Sequence, residues 1–348
     1  MKALGRSSAA AGGHHELLEL LERCFLQGED DDAALARSVP RAIWNEALLA
    51  PLRDFLRRPS KLFRAHLVEL GFRLGGGRDG AHPIELPLII ECLHAGSLII
   101  DDIEDDSAER REAPALHCRY GLPRALNAGN WLYFWPQVLL SRLPLGERAL
   151  LYAHERLALC LMHCHEGQAL DLSVRVDELN QPDVPKVVRA ISRLKTGGLL
   201  GLATGLGAIA AGAAPDRVEA IASLGRELGV GLQMLDDLSG VLNAARRHKA
   251  FEDLAHGRAT WVWSWLASEL DAEAYEALRG EVSAVEAGAP SEALLERIRF
   301  RVGASGLRHA REHVRETVRV LNATIGSGPI CEQVLDHFAW LERRYVQG

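Results

Sequence analysis

Apolar residues return at intervals of three and four along almost the whole chain. Leu17, Leu18, Leu21 and Phe25 form one such run, and Leu62, Ala65, Val68 and Phe72 another. That spacing lines them up on one stripe of an α-helix, whereas the period-two alternation of a half-buried strand is nearly absent. The pattern predicts an all-α protein. It breaks where Gly, Pro and Asn gather, at 75–83 (GGGRDGAHP), 180–185 (NQPDVP), 211–215 (AGAAP) and 286–291 (EAGAPS), because these residues favour turns. The segments between are helix-length. With no fixed-period repeat and no low-complexity linker, residues 15–348 are expected to fold as a single-domain helical bundle, and residues 1–14 to form a flexible tail.

Composition narrows the picture. The chain has 348 residues, 48% hydrophobic and 25% charged, which supplies ample material for a buried interior. Its formal net charge of −7 gives no long-range pull on a polyanion, so nucleic acid is excluded as an expected partner, and any phosphate must be met by locally placed Lys and Arg. Six cysteines, at 24, 92, 118, 160, 164 and 331, are too sparse for a disulfide framework, and the N-terminus lacks the apolar core of a secretory signal; both point to the cytoplasm. The longest apolar stretch, Leu199 to Ala214, is short of a membrane span and rich in Gly and Ala, so no transmembrane helix is expected.

Chemistry concentrates first in HAGSLIIDDIEDDSAERREAPALH, from His94 to His117. On a helix, His94, Ser97, Asp101 and Asp105 share one narrow stripe, with Asp102 one step around. Three carboxylates so gathered repel one another unless a divalent cation lies between them. Oxygen ligands on few carboxylates suit Mg²⁺, which keeps waters and takes further ligands from substrate phosphates. Arg110 and Arg111 follow, offering forked donors to diphosphate oxygens. The bland alternative is a solvated acidic face, but Leu98, Ile99 and Ile100 make the preceding helix apolar all round.

A second acidic pair, Asp236-Asp237, follows Gly225, Gly229 and Gln233, which stand four apart and so present a smooth face ending in an amide. Alone, such a pair reads as a helix C-terminal region leading into a loop over 246–257. Lys61 and Arg64, after Pro59, are spaced to share one side of a helix, and Lys195-Thr196-Gly197-Gly198 sets a cation and a hydroxyl beside glycines that allow close approach. Each of these alone fits an ordinary surface pair or a packing step.

In this order the motifs resemble the trans-isoprenyl diphosphate synthases, and geranylgeranyl diphosphate synthases most of all. Asp101, Asp102, Asp105, Arg110 and Arg111 resemble the family's DDxxD with paired arginines; Lys61 and Arg64 its GKxxR, with His94 at the matching third position; Gly167-Gln168 with Asp171 its GQxxD; Lys195-Thr196 its KTG. The resemblance implies an all-α homodimer of isoprenoid synthase type, each bundle built around a deep central cavity, with Asp101 and Asp236 facing one another across an apolar hollow. It implies that Asp101, Asp102, Asp105 and Asp236 hold Mg²⁺, three ions with substrate bound, on an allylic diphosphate whose oxygens also meet Arg110, Lys195 and Gln233. Lys61, Arg64, His94 and Arg111 would hold isopentenyl diphosphate, Thr196 would face the reacting carbons, and Lys249 and Arg258 would come from a loop that closes over the site. Ionisation leaves a carbocation and a diphosphate anion, which calls for cations in a water-poor cavity and for no general-base dyad.

The chain departs from the family pattern in places. Gly240 stands where the second motif has its last acid, with Asn243 on the same stripe as a substitute acting through water; Ser60 replaces a glycine and Arg258 a lysine. The residues four and five before the first aspartate are Ser97 and Gly96, so the cavity floor is expected deeper, with Trp131, Tyr133, Phe134 and Trp135 as wall candidates and a C20 product. Two rival readings are weighed: a terpene cyclase on the same fold, against which Lys61, Arg64 and His94 together argue, and a non-catalytic subunit that modulates a partner synthase, whose only support is Gly240. Cys160, His163 and Cys164 have helical spacing near that of zinc ligands, but no fourth ligand is evident, and a buried helix with incidental thiols is the default.

Overall fold

The computed structural model describes residues 9–59, 63–78, 82–83, 85–286, 288, 290–326 and 328–347. Most of them are helical, as the periodicity predicts, and turns and loops make up most of the rest. Among the described residues the strand pairing is confined to a short ribbon, Glu109–Arg110 paired antiparallel with Ala113–Pro114 in the register Glu109↔Pro114 and Arg110↔Ala113, together with a lone bridge between Arg175 and Arg258. Ser60 and Lys61 lie outside the described residues, and the first helix, Ala9–Cys24, starts before residue 15. Among the described residues no helix is long and apolar enough to cross a membrane.

The chain forms two compact units, residues 1–69 with 78–154, and residues 70–77 with 155–348. In the first, the helix Glu85–Glu104 lies along Leu122–Leu140. Its face of Leu86, Ile89, Ile90, Leu93 and Ile99 is fully or almost fully buried, each side chain contributing about 1.5–3 kcal/mol by leaving water. The two helices approach closely at glycine: a Cβ on Gly96 would sit 3.0 Å from the Gly129 carbonyl oxygen and 3.1 Å from Leu132 Cβ.

In the second unit the helix Pro215–Leu242 packs against both Gly198–Ala210 and Glu292–Ile325. Pro at its first position needs no intrahelical N–H partner, which suits a helix start. The apolar 199–209 run is buried within this unit, as its Gly and Ala content predicts. The Gly225, Gly229 face works as its spacing predicts: a Cβ on Gly229 would lie 2.6 Å from Gly197 Cα, so only hydrogen fits there. Gly197 closes a π-helical turn, Arg193–Gly197, between the helices Val184–Ser192 and Gly198–Ala210. This widened turn carries Lys195 and Thr196, and such turns cluster at functional positions.

Candidate active site

In the first unit the apolar helix Glu85–Glu104 delivers Asp101 and Asp102 on its last turn, and the Asp105 amide still reaches the Asp101 carbonyl at 2.9 Å. Asp102 is fully buried, whereas Asp101 and Asp105 are half-buried. Arg110 Nε donates to Asp102 Oδ1 at 2.6 Å, and its guanidinium stands 3.7 Å from Asp101. Burial raises the Asp102 carboxyl above its usual range and Asp101 adds to this, while Arg110 opposes it. The other oxygen, Asp102 Oδ2, is buried and has no hydrogen-bond partner among the described residues. An orphaned anionic oxygen is expensive, and a cation beside it removes the penalty.

Arg110 and Arg111 reach this place through the ribbon. Arg111 (φ 53°) and Glu112 (φ 62°) form its two-residue loop, both left-handed, as in the type I′ turns that suit twisted hairpins. Neither is glycine, so each costs about 1–2 kcal/mol, and strain of this sort gathers at functional sites. Arg111 lies over the Phe55 ring at 5.5 Å. Burial lowers its pKa to about 10, with Glu91 opposing and Arg64, Arg110 and Arg58 adding to the fall. His94 is pushed well below its ordinary value by burial and then by Arg64, Arg111 and Arg110, so it is neutral. The structure thus brings Arg64, His94, Asp101, Asp102, Arg110 and Arg111 together.

In the second unit the helix Pro215–Leu242 presents Gln233, Asp236 and Asp237. Thr196 donates to Gln233 Oε1 at 2.7 Å, and Gln233 Nε2 donates to Asp237 Oδ1 at 2.8 Å. The Trp261 amide donates to Asp237 Oδ2 at 2.8 Å. Asp237 therefore caps the helix Trp261–Glu269, with both oxygens engaged, and burial pushes it up to about 6 despite Lys249 and the Trp261 amide. Asp236 differs. Burial would raise it, but Lys249 and Arg246, both paired with it, bring it down to about 2. Lys195 pairs with Asp171, and Arg258 donates to the Asp171 carbonyl.

Three features lay beyond the sequence reading. Residues 247–255 are a helix rather than a loop, so Lys249 sits on a helix. Asp253, one turn after Lys249, completes an acidic group with Asp171, Asp236 and Asp237 and is pushed by burial to about 7 against the pull of Lys249; the i, i+4 spacing from Lys249 was its only signal. Buried Arg58, just past the helix Ala50–Arg57, holds the ribbon. Nothing in its surroundings along the chain marks it out.

Some expectations are corrected. The Asn243 side chain is engaged within the protein: its Oδ1 accepts from the Ala245 amide at 3.0 Å and its Nδ2 donates to the Tyr345 carbonyl at 3.2 Å. Gly240 has a packing reason, since a Cβ there would stand 2.9 Å from the Ala250 amide nitrogen, and an aspartate would push away the helix that carries Lys249. Gly96 faces a helix rather than a cavity. Phe134 is 70% exposed, while half-buried Trp131 stacks on buried Trp135 at 5.0 Å and lies 6.5 Å from buried Phe25. The Cys160 and Cys164 sulfurs lie 3.9 Å apart, both as free thiols. Among the described residues no three His, Cys, Asp or Glu side chains gather to hold an ion unaided. Mg²⁺ completed by waters and diphosphate does not need such a cage, so Asp102 with Asp101 fits it.

The model of one protein family, polyprenyl synthetase, matches residues 45–287. The chain belongs to that family. Polyprenyl synthetases are prenyltransferases, and the all-α isoprenoid synthase fold follows from the solved relatives. This chain is 31% identical over 239 residues to a geranylgeranyl pyrophosphate synthase of Eremothecium gossypii, covering 66% of this chain and 72% of that protein. With other curated relatives of the same description the match spans about half of their length, from 46 to 56%. Among solved structures, a decaprenyl diphosphate synthase from Rhodobacter capsulatus is 21% identical with a TM-score of 0.72, covering 98% of both chains. A polyprenyl synthase from Caulobacter crescentus, complexed with calcium and isoprenyl diphosphate, is 22% identical with a TM-score of 0.67, over 96% of this chain and 94% of that one.

Proposed function

We propose that this chain is a Mg²⁺-dependent trans-prenyltransferase that joins isopentenyl diphosphate to an allylic diphosphate and stops at C20, geranylgeranyl diphosphate. One observation carries the reading: a partnerless, buried carboxylate oxygen, Asp102 Oδ2, stands beside Arg110 at the end of an apolar helix. A divalent cation bearing a diphosphate suits that pairing of anion and cation better than any neutral ligand.

In this reading Asp101, Asp102, Asp105 and Asp236 hold Mg²⁺, three ions with substrate bound. When bound, the metal offsets charge developing on the leaving diphosphate. Arg110, Lys195 and Gln233 contact the allylic diphosphate, and Thr196, its hydroxyl oriented by Gln233, faces the reacting carbons. Lys61, Arg64, His94 and Arg111 hold isopentenyl diphosphate, with neutral His94 donating a hydrogen bond where a further cation would only add repulsion. Lys249 exchanges its contact with Asp236 for diphosphate oxygens, and Arg258 adds charge beside Asp171. Asp237 positions Gln233. Burial of these groups keeps water from the carbocation.

The C20 assignment draws support from the curated relatives' descriptions as geranylgeranyl pyrophosphate synthases, since the same fold also occurs in a decaprenyl synthase. The proposal includes a homodimer in the cytoplasm. Incubation of the purified protein with Mg²⁺, labelled isopentenyl diphosphate and each of the C5, C10 and C15 primers is expected to give labelled C20 diphosphate, abolished by chelator. No labelled product with any primer sinks the reading. Hydrocarbon formed from geranylgeranyl diphosphate alone would point to a cyclase instead, and an effect only on a partner's product length to a modulating subunit.

A further inference from the structure

We infer that Arg58 is a positioning residue: its buried guanidinium clamps the ribbon so that Arg110 and Arg111 are held where a diphosphate meets them. The inference rests on the prenyltransferase reading for its substrate, but its geometry stands apart from it. Arg58 is only 5% exposed. Its Nη1 donates to the Arg110 carbonyl at 3.0 Å, and its Nη2 to the Pro114 carbonyl at 2.8 Å. One acceptor belongs to each strand, so a single side chain ties both strands of the ribbon. Asp54 balances the buried charge, accepting from Arg58 Nε at 3.2 Å, and the Phe55 ring lies 5.4 Å beneath the guanidinium.

The ribbon needs such a clamp. Two residue pairs make a hairpin that is marginal alone. Its loop residues, Arg111 and Glu112, occupy the left-handed region that glycine or asparagine normally fills in a type I′ turn. Residues in this state persist only where their surroundings over-determine them. Asp102 fixes the Arg110 side chain, but only Arg58, among the side-chain bonds seen here, holds its carbonyl. Lysine could not replace it, since one ammonium lacks the planar fork that spans two carbonyls.

Steady-state kinetics with Arg58→Ala and Arg58→Lys tests this. Loss of the clamp is expected to raise KM for isopentenyl diphosphate about tenfold or more, because a displacement on the order of 1 Å weakens an oriented contact to that extent, with a smaller change in kcat. Glu112→Gly, which removes the left-handed strain, should recover several-fold of that loss in the Arg58→Ala background. Trypsin provides a reading that needs no turnover: cleavage after Arg110 and Arg111 should speed up several-fold in both Arg58 variants and slow again with Glu112→Gly, at a pH and temperature where circular dichroism finds the helices intact. Unchanged trypsin cleavage overturns the clamp whatever the activity. Faster cleavage with KM unchanged within twofold overturns its role in binding. If the wild-type protein makes no product, the enzymatic reading fails separately, and calorimetric titration with Mg²⁺ and inorganic diphosphate takes the place of KM, with equal affinity in wild type and Arg58→Ala overturning the inference.

Discussion

At the scale of single residues, neighbours of identical chemistry have opposite roles because their surroundings differ. Asp102 has one oxygen on Arg110 and one with no partner, whereas Asp237 spends both oxygens on Gln233 and the Trp261 amide. Asp102→Asn is therefore expected to cut turnover by about 10²-fold or more, the scale seen when a group facing developing charge is removed. Incorporation of labelled isopentenyl diphosphate measures this, and activity within threefold of wild type would remove Asp102 from the site. Thr196→Val severs the bond to Gln233 and should lose about tenfold in kcat, the worth of one good hydrogen bond. Ser97 is half-buried one turn before Asp101, with its hydroxyl on the His94 carbonyl. If it borders the chain-elongation space, Ser97→Phe will shorten the product, and unchanged C20 by chromatography would refute that floor.

At the scale of elements, close helix contacts and buried titratable groups set stability. The approach of Pro215–Leu242 to the turn carrying Lys195 depends on a missing side chain at Gly229. Gly229→Ala should destabilise by about 1–3 kcal/mol, as overpacked cores do, visible as a lower urea midpoint; an unchanged midpoint would mean the helices separate freely. On Glu292–Ile325, His313 donates to the Glu227 carbonyl at 2.9 Å. The Glu227 carboxylate is close to His313, but it is already shared by Arg189 and Arg193. Burial, then Arg189 and Arg193, lower the His313 pKa from 6.5 to about 4. Between those values the unfolded chain binds a proton that the native state refuses, so the contribution is complete above pH 6.5 and is lost as pH falls toward 4. It amounts to about 3 kcal/mol, at roughly 1.4 kcal/mol per pKa unit. His313→Gln should remove that contribution, so the loss of thermal stability from pH 7 to pH 5 is expected to be smaller in the variant than in the wild type, with an unchanged loss ruling His313 out.

At the scale of the molecule, an apolar stripe left exposed among the described residues supports the proposed homodimer. Leu122, Leu126, Phe134 and Val138 repeat at multiples of four along Leu122–Leu140 and are 52%, 41%, 70% and 48% exposed. Such a stripe is unusual for a monomer's surface. Phe134→Glu with Leu126→Glu is expected to halve the mass seen by light scattering while the helices persist, and a wild-type protein that already runs at the mass of one chain would rule the dimer out.

The all-α class, the acidic helix ends and the order of cationic motifs were legible in the residue pattern, because helical periodicity and charge spacing are local properties of the chain. The glycine face at 225 and 229 was equally legible, for the same reason. Arg58, Asp253, the helix over 247–255 and the packing need for Gly240 were not. Their meaning depends on which carbonyl, carboxylate or helix lies opposite, as Arg58 finds the carbonyls of Arg110 and Pro114 more than fifty positions along the chain. The division between Asp236, paired with two cations, and Asp237, spent on a helix cap, was likewise decided only by tertiary contacts. Spacing tells which side chains share a face, but burial and partners set their charge state, and both come from residues distant in sequence.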